Sequence, residues 1–288
     1  MKLRFVTSLY SKKESNIVIF SPLFGKNAEK SYRALRRASL HVEPFDENGK
    51  NLLENVKIYD EGNLKLEYLD QIYEKVLKLR TKQKIPFMIS RNHVSTLFAL
   101  GAFPEKIKIL IFDAHLDSKE RYMDEKIEEM DEFEDDVINE EINDATWLRR
   151  FVDYSYNTKI LVLGARSFSE EEIEFFKEQK LKYFTASQIK EDFEKIKKKV
   201  ENFTKNSEIY VSLDVDVFDP SIAPAVDYPE PNGIFLNEFF KLVEAIKGKI
   251  VGLDTCCFKK ISENEITEFL VVKAMFKLLN QTSKNLKV

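Results

Sequence analysis

Residues 211–220 read V-S-L-D-V-D-V-F-D-P. An apolar, β-branched run with Asp214 and Asp216 two apart reads as a buried strand, in which alternate positions share a face. Leu213, Val215 and Val217 then look inward. The two carboxylates sit side by side, where both desolvation and mutual repulsion are costly. A shared proton, basic side chains or a metal cation would relieve that cost, and no Lys or Arg lies between Asn206 and Phe218. A second run, I-K-I-L-I-F-D-A-H-L-D over 107–117, repeats the pattern: an apolar strand ending in Asp113, His115 and Asp117 at alternate positions.

The rest of the chain alternates in the same way. Strand-like runs at 16–20, 55–59, 85–89, 107–112, 159–163, 181–184, 208–213 and 250–253 are interleaved with helical spacing. The helical segments are 26–38, 66–80, 94–100, 169–179, 186–203, 236–246 and 263–279. Ser169, followed three residues later by Glu172, is a capping box. This β-α order predicts an α/β fold: a mostly parallel sheet with helices on both faces and ligands bound at the carboxyl ends of strands. No repeat or linker divides it, so residues 1–288 are expected to form a single domain. Arg33, Arg36 and Arg37 give helix 26–38 a basic face, expected to be solvated or to lie in an interface.

Net charge is -4, which opposes nucleic-acid binding, since that requires a basic surface. The two cysteines, Cys256 and Cys257, are adjacent and cannot staple a fold, which favours a reducing cytoplasm. No apolar run approaches the ~20 residues of a membrane span. Between Ser118 and Asp144 acidic residues crowd together against only Lys119, Arg121 and Lys126. That segment reads as a solvated excursion, or as a loop at the mouth of the site whose field draws in cationic substrates.

Asp113, His115, Asp117, Asp214 and Asp216 supply four carboxylates and an imidazole, and His93, just after strand 85–89, is a sixth candidate. Carboxylates with a little imidazole suit Mn²⁺ better than a structural zinc, which prefers thiolates. Four carboxylates balance two divalent ions, which in bridged sites lie about 3.5–4 Å apart. Trp147 and the other aromatics read as core, and the two cysteines as buried thiols.

At these motifs the chain resembles the arginase/agmatinase family, the ureohydrolases. The resemblance lies in D-A-H-L-D at Asp113 and S-L-D-V-D-V-F-D-P at Ser212 with its continuation S-I-A-P-A. Looser echoes are S-Y-R-A-L-R-R-A-S, I-Y-D-E-G-N-L at Ile58, L-G-A-R-S at Leu163 and Y-P-E-P-N-G at Tyr228. The resemblance implies a three-layer α/β/α fold with about eight strands, two Mn²⁺ per chain and a trimer or hexamer. It places His93, Asp113, Asp117 and Asp214 on one ion and His115, Asp113, Asp214 and Asp216 on the other, with Asp113 and Asp214 bridging. It also implies hydrolysis of a small cationic guanidino substrate to urea and an amine, with Asp117 as the catalytic proton carrier.

The chain departs from the family pattern at three places. The family's G-G-D-H reads Ser90, Arg91, Asn92, His93. A His that usually precedes Gly-Thr aligns with Asp144. The Glu of D-I-x-E, which binds guanidinium, aligns with Cys257, which removes a charge-assisted contact worth roughly 1.5–3 kcal/mol. Asp144, Cys257 and Glu230 are therefore the candidate substrate contacts. The leading expectation is an agmatinase-like enzyme. The alternatives are a formimidoylglutamate or other guanidino-acid hydrolase, a metal-binding homologue with a regulatory role, and a zinc deacetylase.

Overall fold

A computed structural model of the chain describes residues 3–6, 8–122, 139–155, 157–261 and 264–284. The expectation for the acidic segment falls, over 123–138, outside these residues. Eight strands form one sheet: β1 Ile17–Leu23, β2 Ile58–Lys65, β3 Ile85–Ile89, β4 Lys108–Phe112, β5 Lys159–Ala165, β6 Lys182–Thr185, β7 Glu208–Asp214 and β8 Lys249–Cys256. Their order is β2-β1-β3-β8-β7-β4-β5-β6, and every neighbouring pair is parallel.

Helices cover both faces because the strands are apolar on both. Ile17 and Ile19 of β1, with Leu110 and Phe112 of β4, enter one core. Val18 and Phe20, with Ile109 and Ile111, enter the other. The first core packs against α1 Ala28–Ala38, α7 Phe193–Thr204, α8 Leu236–Glu244 and the long closing helix α9 Ile266–Lys284. The second packs against α2 Asp70–Thr81, α3 Val94–Gly101, α4 Trp147–Tyr154 and α5 Glu170–Glu178. The result is the expected three-layer α/β/α architecture. Among the described residues no helix is long and apolar enough to cross a membrane.

Four sequence expectations are corrected here. The strand expected at 55–59 lies at Ile58–Lys65; its half-buried D-E-G-N pattern belongs to the last strand at one edge of the sheet. The single helix expected over 186–203 is two, α6 Ala186–Glu191 and α7, broken at Asp192, whose backbone is not helical (φ -118, ψ 38). Helix α4 was not anticipated, although its first residue, Trp147, is fully buried. Arg36 is not on an exposed face: it is buried and ion-paired with buried Asp60, Nε to Oδ2 2.7 Å.

Candidate metal centre

The site forms at the carboxyl ends of β3, β8, β7 and β4, four consecutive strands at the middle of the sheet. Two similar turns build it. Asp113 follows β4, and its Oδ1 accepts the His115 amide at 2.6 Å. Asp214 ends β7, and its Oδ1 accepts the Asp216 amide at 2.9 Å. Each carboxylate thus uses one oxygen to cap its own turn, as Asp commonly does, and turns Oδ2 towards the centre. Asp216 therefore arrives on a 3₁₀ turn, Val215–Val217, and not on the strand face that its i, i+2 spacing suggested. The Ala114 amide ties the two turns together by donating to Asp216 Oδ1 at 3.0 Å. Gly164, at φ +104, lets β5 come close: a Cβ there would meet Val217 Cγ2 at 2.4 Å and the Asp113 carbonyl at 3.2 Å.

All six sequence-predicted ligand residues meet here. His93 Nδ1 lies 3.0 Å from Asp117 Oδ2, 3.1 Å from Asp113 Oδ2 and 3.4 Å from Asp214 Oδ2. His115 Nδ1 lies 2.9 Å from Asp216 Oδ2 and 3.5 Å from Asp113 Oδ1. The donor atoms of His93, Asp113 and Asp117 lie within 4.8 Å of one another, as do those of Asp113, His115 and Asp216. His93 and the four aspartates are buried.

The tautomer of His93 follows from its partners. Ser212 Oγ gives its one proton to Asp254 Oδ1 at 2.7 Å, so it accepts from His93 Nε2 at 2.9 Å. With Nε2 protonated, the neutral ring presents its Nδ1 lone pair to the three carboxylates. Nδ1 is buried and makes no hydrogen bond. A lone pair among carboxylate oxygens is repelled unless a cation or a proton stands between them, so the donor set fits a divalent metal ion.

Charge crowding points the same way. Burial, then the nearby Asp113, raises the Asp117 carboxyl to about 7. Burial, then Asp216 and Asp113, pushes Asp214 well above the usual carboxylate range. Burial alone would lower the His115 imidazole, but Asp216 and Asp113 outweigh it and hold the ring well above its ordinary value. Protons therefore compete with a cation for the same atoms. Mn²⁺ affinity, measured by calorimetry, is expected to weaken as pH falls through about 7 and to strengthen as it rises.

Asp144, Cys257 and Glu230 line a cavity of about 320 Å³ that opens on this cluster, together with Lys119, Asp227 and Tyr228. Asp144 has a structural task as well: its Oδ1 accepts the Val94 amide at the start of α3, at 2.8 Å. Burial raises its carboxyl to about 6. Glu230 Oε1 is 3.9 Å from His115 Nε2. Arg91, which replaces a small residue of the family pattern, turns to pair with Asp227, whose Oδ1 also holds Lys259 at 2.9 Å.

Sequence reasoning missed the supporting residues. Trp147, read as core, donates Nε1–H to Asp117 Oδ2 at 2.8 Å and stacks on His93 with ring centroids 4.5 Å apart. Arg166, inside L-G-A-R-S, donates to the carbonyls of Asp216 at 2.7 Å and Glu230 at 2.8 Å and so fixes both loops. Asp254 also accepts from Tyr210 at 2.7 Å and Thr96 at 3.0 Å. Trp147→Phe keeps the ring but removes the donor to Asp117. It is expected to lower turnover or metal affinity ~10–100-fold, the usual cost of losing a partner of a metal ligand, as read by metal titration and steady-state kinetics.

An all-parallel three-layer sheet with an Asp/His cluster at the ends of its central strands is the architecture of a metal-dependent enzyme. The Arginase family model matches residues 25–280, and the chain belongs to that family, whose enzymes use a binuclear metal centre to hydrolyse amidine C–N bonds. Among its relatives is an agmatinase of Bacillus anthracis, 27% identical over 87% of this chain and 86% of that protein. Another is the N(1)-aminopropylagmatine ureohydrolase of Thermococcus kodakarensis, 27% identical over 76% of this chain and 72% of its own. The crystal structure of the agmatine ureohydrolase of Thermoplasma volcanium superposes with a TM-score of 0.83 at 25% identity, covering 100% of this chain and 96% of that one.

Proposed function

We propose that this protein is a binuclear manganese hydrolase of a guanidino C–N bond, agmatinase-like, that releases urea and an amine. The observation that carries the reading is the pair of imidazole nitrogens, His93 Nδ1 and His115 Nδ1, turned onto a shared carboxylate, Asp113, from opposite sides. His93, Asp113, Asp117 and Asp214 would hold one ion; His115, Asp113, Asp214 and Asp216 would hold the other.

Two divalent ions in such a cluster supply Lewis acidity and a water acidic enough to ionise near neutral pH. Asp117 is the proton carrier. Trp147 occupies its Oδ2, so Oδ1 takes the proton and returns it to the departing nitrogen. Asp144 and Glu230 face the cavity with negative charge suited to a small cation. The relatives named agmatinase and N(1)-aminopropylagmatine ureohydrolase favour a guanidinium at the end of an amine chain. A second reading, a guanidino or formimidoyl amino acid, draws on Lys119. It lines the cavity with its ammonium over the Tyr122 ring, 4.1 Å from the centroid, and supplies a cation for a carboxylate. Cytoplasmic location and a trimeric or hexameric assembly belong to the same proposal.

A panel of guanidino amines and guanidino acids assayed with Mn²⁺ for urea or ammonia release tests it. Agmatine-type amines are expected to turn over fastest. Two bound ions per chain with no turnover across the panel would replace the enzyme reading with a regulatory one.

A further inference from the structure

Cys256 ends β8, and Cys257 follows it at φ +65, in the left-handed region that non-glycine residues seldom occupy. Such strain persists where the surroundings impose it, and it gathers at functional sites. The turn brings Cys257 to the wall of the cavity that His93, Asp117 and Asp214 also line. Cys256 has another use: it is fully buried, with Sγ 3.6 Å from the Leu213 carbonyl and 3.7 Å from Asp214 Oδ2. The donor atoms of His93, Asp214, Cys256 and Cys257 nevertheless lie within 4.8 Å of one another. The independent sign that a ligand belongs here is again His93 Nδ1, buried, without a hydrogen bond and facing carboxylates.

We infer that Cys257 is a sulfur ligand to the ion held by His93 and Asp214, which makes the two metal positions chemically unequal. The His115 position has only nitrogen and oxygen donors and keeps the preference for Mn²⁺. The His93 position gains a thiolate, releasing one proton to solvent, and so shifts towards thiophilic ions such as Zn²⁺ and Co²⁺. Cys257 thereby serves the metal, in place of the guanidinium contact that a carboxylate at this position would make. The inference rests on the metal-centre reading proposed above and adds an unequal pair of sites to it.

Cobalt makes the sulfur visible. The full chain, stripped of metal and loaded with Co²⁺, is expected to show a near-ultraviolet sulfur-to-cobalt charge-transfer band beside weaker visible bands. Cys257→Ser should bind Co²⁺ without that band, Cys256→Ser should retain it, and the Zn²⁺ over Mn²⁺ preference should fall ~10-fold in Cys257→Ser. Bound Co²⁺ without the band, or a band that survives Cys257→Ser, overturns the assignment and leaves the metal centre standing. Failure to take up either Mn²⁺ or Co²⁺ overturns the metal centre itself, so the two failures are distinct. Cadmium-113 NMR of the unsubstituted chain requires no variant. A resonance displaced downfield by sulfur supports the inference, and resonances confined to the oxygen and nitrogen range refute it.

Discussion

Asp214→Asn is expected to reduce turnover roughly 10³-fold or more and to lower bound metal below two ions per chain. The substitution is selective. Asn keeps the side-chain oxygen that accepts the Asp216 amide, so the turn that presents Asp216 survives. What disappears is the negative charge that the proposed centre would share between its two ion positions. In the metal-free chain that charge is a burden, because burial and two neighbouring aspartates already push the Asp214 carboxyl well up. The metal-free variant is therefore expected to melt no lower than the metal-free parent, while the rise in Tm that Mn²⁺ gives the parent should shrink. Metal analysis, urea release and melting with and without Mn²⁺ check the three parts. A variant that still holds two tight ions and turns over normally would remove Asp214 from its shared role.

How much of this was open to sequence reading depends on the range of the interaction involved. Strands β3, β4 and β7 were legible because both their faces are covered, which makes them continuous apolar runs. The six candidate ligand residues stood out because Asp and His are out of place at the ends of such runs. The capping box at Ser169 was legible for a similar reason: it needs only residues three apart, and Ser169 N does donate to Glu172 Oε2 at 2.8 Å. The geometry by which Asp216 enters the cluster was not legible, because an Asx turn and a strand place residues i and i+2 differently and the sequence permits both. Nor were the supporting contacts. Trp147 reaches Asp117 across 30 positions, and His93 reaches Ser212 across 119. Composition marks neither pair, and a buried tryptophan reads as core whether or not its indole nitrogen serves a carboxylate.

Arg36 is the clearest misreading, and it carries the largest expected effect on stability. On a helical wheel it sits near Arg33 and Arg37, and charge on a helix is usually solvated. Here the guanidinium is buried between α1 and the β1–β2 edge. It makes two bonds to Asp60, 2.7 and 3.0 Å, one to Ser21 Oγ at 3.0 Å and one to Asn63 Oδ1 at 2.9 Å. Asp60 in turn accepts the amides of Phe5 at 2.8 Å and Gly62 at 2.8 Å. The pair therefore secures the segment before β1 and the whole outer strand β2. Arg36→Ala leaves a buried carboxylate without its cation and should cost about 3–5 kcal/mol, read as a lower urea midpoint. Adding Asp60→Asn, which removes the stranded charge and keeps an acceptor for one of the two amides, should restore part of that loss. The two substitutions are thus expected to be less damaging together than their separate effects predict. A loss below about 1 kcal/mol for Arg36→Ala would mean that water reaches Asp60, and the pair would rank with ordinary surface ion pairs. Because β1 and β2 lie to one side of the four strands that carry the candidate metal ligands, the folded fraction of Arg36→Ala should bind Mn²⁺ as the parent does.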